Sequence, residues 1–205
     1  MNPIVELVNR WDAFAQENAD ASIADFCRFY LASEENAKHS SDTYPDIPIE
    51  SRLGRTFGRM SRFSSFYAKK ALASVGINNI EDFGYLMALR EMGSPRKSQL
   101  IQSSLSDFTT GIEVINRLIR MGLMEEFPDP DDRRSKRLKL TEKGLEVSDA
   151  SLPVMHIMGK MVFSSLSREE QGILFQIILK LDRVHSDRYQ DLRQMEWEDI
   201  RERFA

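Results

Sequence analysis

The densest cluster of side chains able to make specific polar contacts is Asp131-Asp132-Arg133-Arg134-Ser135-Lys136-Arg137. A guanidinium is a planar fork of donors that pairs with phosphate and fits the narrow, electronegative minor groove of a duplex. Arg133, Lys136 and Arg137 are candidates for contacts with a phosphate backbone, set against the plainer reading of a solvated charged turn. A second group lies upstream. If Ile112, Ile115, Leu118 and Ile119 take the buried face of a helix, then Thr109, Thr110, Glu113, Asn116, Arg117 and Arg120 remain for solvent or a ligand. Hydroxyls at Thr109 and Thr110 can bond phosphates or bases, and the Asn116 amide suits an adenine edge. Glu113 repels phosphate but can accept from cytosine N4. A third group, Arg52, Arg55, Arg59 and Arg62, recurs at spacings of three, four and three and so forms one basic stripe on a helix. It can contact a duplex, attract an acidic ligand, or pair with acidic neighbours.

Other chemistries lack their residues. One cysteine, Cys27, cannot form an internal disulfide or a thiolate metal cage, which suits a reducing cytoplasm. It reads as a small buried apolar residue rather than a redox sensor, with only Arg28 near enough in sequence to lower its pKa. His39, His156 and His185 are too scattered for a metal motif, and His156 reads as structural. There is no Gly-rich phosphate loop, nucleophile elbow or HExxH, and Asp131-Asp132 sits in a turn rather than a cleft. The expectation is a protein that is not an enzyme, with no cofactor and no metal.

Charge is distributed unevenly along the 205 residues, whose 28 Lys+Arg and 32 Asp+Glu give a net charge of −4. Residues 1–50 carry −7, residues 51–143 carry +6 and residues 144–205 carry −3. A basic middle between acidic flanks suits a nucleic-acid face supported by acidic helices, and solvated surface helices would give the same pattern. With 41% hydrophobic and 29% charged residues the chain can bury a core. No apolar run approaches the ~20 residues of a membrane span, and the start MNPIVELVNRWDAF lacks the pattern of a secretory signal. A cytoplasmic protein without a membrane partner is expected.

The elements that must position these groups are mostly helices. Apolar residues at helical spacing predict helices over 3–18 and 21–33, and the polar, twice-prolined stretch 39–48 reads as a linker. A long helix is expected from Glu50 to about Ser74, closed by Gly76. A helix over 80–92 ends at Gly93, and Ser94-Pro95 reads as cap and first position of the next, to about Ser104. Leu105-Ser106 forms a tight break, with Ser106 capping a helix to Met121 that Gly122 ends. LMEEF and KRLKL flank a turn rich in Pro and Asp, and together read as a β-hairpin. Thr141 caps a long helix that Pro153 should kink or split, and Ser167-x-x-Glu170 is a capping box before ILFQIILKL. Helix, tight turn, helix, hairpin is the order of a winged helix-turn-helix, whose second helix enters a major groove while the hairpin reaches the minor groove.

With Asp132-Arg133-Arg134 followed by Leu140-Thr141-Glu142-Lys143-Gly144, the hairpin resembles the wing signature of the MarR family of bacterial transcriptional regulators. Asn116-Arg117-Leu118 and Gly122-Leu123 fall where that family leaves its recognition helix, and Leu166-Ser167-x-x-Glu170 with Leu174 and Leu181 is similar to its last helix. The resemblance spans about 50–189. It implies a mainly α fold with a two-stranded wing and long dimerization helices, and a homodimer whose terminal helices interlock to present two winged domains to the half-sites of a palindrome. It would make Asp132 the internal ion-pair acceptor of the hairpin and place Arg134 near the wing tip. It also implies a small-molecule effector pocket between dimerization helices and winged domain, which Arg59, Phe63 and Phe66 could line. Two features depart from the family pattern: Glu113 stands where a basic residue is frequent, and Leu105-Ser106 lacks the usual glycine.

The organisation expected is a helical extension over 1–48, a first dimerization helix over 49–78, the winged domain over 79–143 and further dimerization helices over 144–205. Apolar positions on the long helices exceed what one winged domain covers, which independently favours a homodimer. The function expected is a sequence-specific, double-stranded-DNA-binding regulator, a repressor on a palindromic operator. The alternative is a winged-helix protein-interaction module that has lost DNA binding.

Overall fold

A computed structural model of the chain describes residues 2–38, 47–132 and 134–204. Contacts divide the chain into a unit at 1–56 and a second at 57–205. In the first, α1 (Pro3–Glu17) starts with Asn2 accepting the Ile4 N–H at 3.0 Å and proline at the first helical position. It is followed by α2 (Ile23–Lys38). Their meeting face is aromatic: Trp11 stands edge-on to Phe26 at 5.2 Å, and Phe14 stacks on Phe29 at 4.9 Å. Phe26 is the buried member. Cys27, expected to be buried, is exposed, because Phe26 rather than its neighbour points into this cluster. Most of the expected linker, 39–46, lies outside the described residues. The helix α3 (Ile49–Ala73) begins in the first unit and ends in the second.

The second unit continues with α4 (Ile80–Met92), α5 (Lys97–Ser103), α6 (Phe108–Arg120), β1 (Met124–Pro128), β2 (Lys136–Leu140), α7 (Glu142–Val162), α8 (Arg168–Leu192) and α9 (Trp197–Phe204). Its core is made by Leu72 of α3 and Ile77 after it, Leu86 and Leu89 of α4, Leu100 and Ile101 of α5, Val114, Ile115 and Leu118 of α6, and Leu123, Met124 and Leu138 around the hairpin. Burying a residue of this size is worth roughly 1.5–3 kcal/mol, so this cluster is what holds the three short helices against the sheet. The expected helix ends recur, with Gly76 and Gly122 in the left-handed region at φ +80° and +70°. Among the described residues no helix is long and apolar enough to cross a membrane.

Four local expectations are corrected. The α5 cap is Arg96, not Ser94, because Pro95 and Arg96 are extended and pair with the hairpin. The α6 cap position is Asp107, not Ser106. Pro153 does not split α7, which runs through it. The chain also forms α9 after the last helix expected from periodicity.

Candidate nucleic-acid interface

The hairpin pairs antiparallel with Met124 opposite Leu140 and Pro128 opposite Lys136; Leu138 is buried in the core and Lys139 is exposed. A third extended segment joins it. The Leu138 N–H donates to the Pro95 carbonyl at 2.9 Å, and Arg96 bridges to Arg137. The hairpin is thereby tied to the start of α5.

The loop of the wing is organised on Asp129, whose side chain is buried at the end of β1. Its carboxylate receives Arg96 Nε at 2.8 Å, the Asp131 N–H at 3.0 Å and Ser135 Oγ at 3.2 Å, and Arg137 Nε lies 3.1 Å away. Desolvation opposes ionisation there, but these donors outweigh it and hold the carboxyl well below the usual carboxylate range. Asp132, the ion-pair acceptor implied by the family resemblance, folds the tip of the loop. Its Oδ1 accepts the Arg134 N–H at 3.0 Å and its carbonyl accepts the Ser135 N–H at 3.0 Å, which folds the tip as an Asx-type turn. Arg134 stands exposed at that tip, whereas Arg133 lies outside the described residues. Arg137 is turned inward toward Asp129 and Asp131. Lys136 is exposed and lies 2.7 Å from Glu126, which also pairs with Lys97. The two lysines lower the Glu126 pKa.

On α6 the buried residues are Gly111, Val114, Ile115 and Leu118, with Ile112 and Ile119 half-buried beside them. Thr109, Thr110, Glu113, Asn116 and Arg120 are exposed, as the periodicity predicts. Arg117 has another partner. Its Nη2 lies 2.5 Å, and its Nε 2.9 Å, from Oδ1 of Asp82 on α4, whose side chain is 1% exposed. Hydrogen bonding to Asp82 raises the Arg117 pKa. This ion pair joins residues 35 positions apart and fixes the roll of α6 over α4.

The motif after β2 closes the unit. Thr141 Oγ1 donates to the Gly122 carbonyl at 2.6 Å and accepts the Gly144 N–H at 2.9 Å, while Lys143 Nζ reaches the Met121 carbonyl at 2.9 Å. A Cβ on Gly144 would sit 2.0 Å from the Leu123 carbonyl oxygen. Only glycine allows α7 to start this close to the end of α6.

The residues proposed for effector binding are less gathered. Phe63 and Phe66 are exposed on α3; Arg59 lies over the Phe63 ring at 5.9 Å and Lys70 over Phe66 at 5.9 Å. Farther along the same helix, Tyr67, Lys70 and Ala71 face Val154, Ile157, Met158 and Met161 of α7 across an apolar groove of about 340 Å³. Arg59, Phe63 and Phe66 lie outside its lining. Among the described residues no cluster of three or more His, Cys, Asp or Glu could hold a metal ion.

Residues 84–144 match the family model described as a winged helix DNA-binding domain. The transcriptional repressor NicR of Pseudomonas putida is 30% identical over 99 residues, which are 48% of this chain and 63% of NicR, so the match spans less than two thirds of that relative. The transcriptional regulator YkoM of Bacillus subtilis is 34% identical over 135 residues, 65% of this chain and 86% of YkoM. Among solved structures, a mutant of MarR from E. coli complexed with operator DNA superposes with a TM-score of 0.61 at 20% identity, over 69% of this chain and 99% of that one. That similarity establishes the fold.

Proposed function

The chain belongs to the MarR family of winged-helix transcriptional regulators, and on that premise we propose that it is a repressor that binds a palindromic operator as a homodimer. The observation that carries this is the pairing of an exposed polar face on α6 with an exposed arginine at a braced wing tip. Thr109, Thr110, Glu113 and Asn116 meet base edges and phosphates in the major groove, with Glu113 accepting from cytosine N4. Arg134 enters the adjacent minor groove, and Arg133 and Lys136 contact the backbone. Arg117 works from behind this surface, through Asp82.

The homodimer is supported by what one copy leaves uncovered. Phe57, Phe63 and Phe66 on α3, Ile157 and Met161 on α7, and Phe175, Ile177 and Leu181 on α8 are exposed. Large apolar side chains left exposed in this number are costly unless another protein covers them, and a two-fold pair is the simplest cover. A small apolar effector fits the groove between α3 and α7 and would act by changing the angle of the winged domain. The test is footprinting of the full-length protein on genomic fragments at low salt, with light scattering on the same preparation. Half-sites about one helical turn apart and a dimeric mass are expected. A monomeric mass at micromolar concentration, or no protected palindrome, overturns the proposal.

A further inference from the structure

Tyr189 lies in the last turn of α8 and Arg193 is the residue that caps that helix, and both reach the turn between α5 and α6. The Tyr189 hydroxyl donates to the Leu105 carbonyl oxygen at 3.0 Å, and Arg193 Nη2 lies 3.4 Å from Asp107 Oδ1. These contacts join residues 84 and 86 positions apart. The turn they reach is a constrained one. Leu105 holds φ +50°, the left-handed region that a residue with a Cβ seldom adopts. Asp107 occupies the cap position of α6, yet its carboxylate makes no capping bond, so it is free to meet Arg193.

From this geometry we infer that Tyr189 and Arg193 are positioning residues, a latch that fixes the start of α6 relative to α8. The inference rests on the DNA-binding homodimer proposed above. In that dimer α8 belongs to the shared interface, so fixing α6 to α8 in each copy sets the separation of the two recognition helices. The latch therefore decides which half-site spacing the protein accepts. A hydrogen bond to a carbonyl is directional, so the winged domain cannot rotate against α8 without losing the Tyr189 contact. Each base pair inserted between half-sites moves one of them by about 3.4 Å and turns it by about 35°. A latched dimer cannot follow such a change, and an unlatched one can.

The experiment uses the full-length protein, with Tyr189→Phe, Arg193→Gln and the double variant. Both changes keep the side-chain bulk, and thermal unfolding and light scattering verify fold and mass. Duplexes carrying the footprinted operator, with half-sites moved together or apart by one or two base pairs, are titrated in parallel. The wild type should prefer one spacing. The double variant should lose roughly three- to tenfold on that spacing, the scale of one or two hydrogen bonds, and lose less or gain on the others, flattening the profile. Arg193→Lys should restore part of what Arg193→Gln loses. A profile of unchanged shape in the double variant overturns the latch, even if every affinity falls together, because a uniform loss is what a merely structural role gives. A wild type that protects no duplex removes the DNA-binding reading, and the latch falls with it.

Discussion

The Arg117–Asp82 pair should be asymmetric when cut. Arg117→Ala strands a carboxylate that is 1% exposed, and among the described residues the Asn79 amide at 3.4 Å is a weak replacement for three guanidinium contacts. Breaking a buried pair from the cation side costs about 3–5 kcal/mol, and because Arg117 itself is 33% exposed, water reaches the site and the lower end applies. Asp82→Ala instead leaves a guanidinium that can swing into solvent, for a loss of about 1–2 kcal/mol. The double variant should cost clearly less than the two losses added, since the residues act as one unit. Urea titrations of all four proteins, read at unchanged slope, measure this. An Arg117→Ala loss no larger than that of Asp82→Ala would refute the buried-charge argument. Operator titration on the folded variants then separates the two roles of Arg117. A positioning role predicts that both single variants weaken binding alike. A phosphate contact predicts that only Arg117→Ala does, with the salt slope falling by about one.

Three further outcomes follow from the same geometry. Arg134→Ala should weaken operator binding by roughly 1–3 kcal/mol with the circular dichroism spectrum unchanged, and its loss should overlap rather than add with that of Asp132→Ala, whose carboxylate folds the tip; additive losses in the double variant would reject the shared turn. Gly144→Ala should destabilise by about 3 kcal/mol or more in thermal unfolding, because its Cβ would meet the Leu123 backbone at 2.0 Å and neither partner is a flexible side chain; an unchanged midpoint would show that α7 can move away. The Asp129 carboxyl is lowered in the folded state, so its contribution is present above the ordinary carboxylate pKa near 4 and is lost as pH falls through the lower folded value. Stability measured from pH 6 down to 2 should therefore fall, and Asp129→Asn should start lower and fall less steeply. Parallel curves would exclude Asp129 as a source of the acid sensitivity.

What could be read in advance was what short-range chemistry dictates. The capping box at Ser167 and Glu170 and the Thr141 cap form as their spacing predicts, because each needs only a side chain and a backbone N–H three residues on. The hairpin pairs as expected because alternation and turn residues specify its register locally. The missed features join distant positions. The Arg96–Asp129 bond links residues 33 positions apart, and Pro95 pairs with Leu138 across 43. In sequence, Ser-Pro before a polar run is indistinguishable from a helix start, and a Pro/Asp turn offers Asp129, Asp131 and Asp132 as equal candidates for an ion pair. Only the third extended segment, which brings Arg96 over the end of β1, selects Asp129.

The candidate site divides the same way. The exposed face of α6 is legible because a helix with four buried positions leaves its opposite side to solvent, and the structure agrees at Thr109, Thr110, Glu113 and Asn116. Arg117 lies at the border of that face, where periodicity alone cannot say whether a long side chain turns outward or back. The burial of Asp82 decides it, since a carboxylate removed from water needs a cation and Arg117 is within reach. The absent glycine at the inter-helix turn resolves similarly. The left-handed conformation is kept at Leu105 at a cost of about 1–2 kcal/mol. The Tyr189 hydrogen bond to its carbonyl offsets part of that cost, so the departure from the family pattern and the contact from α8 are two sides of one local arrangement.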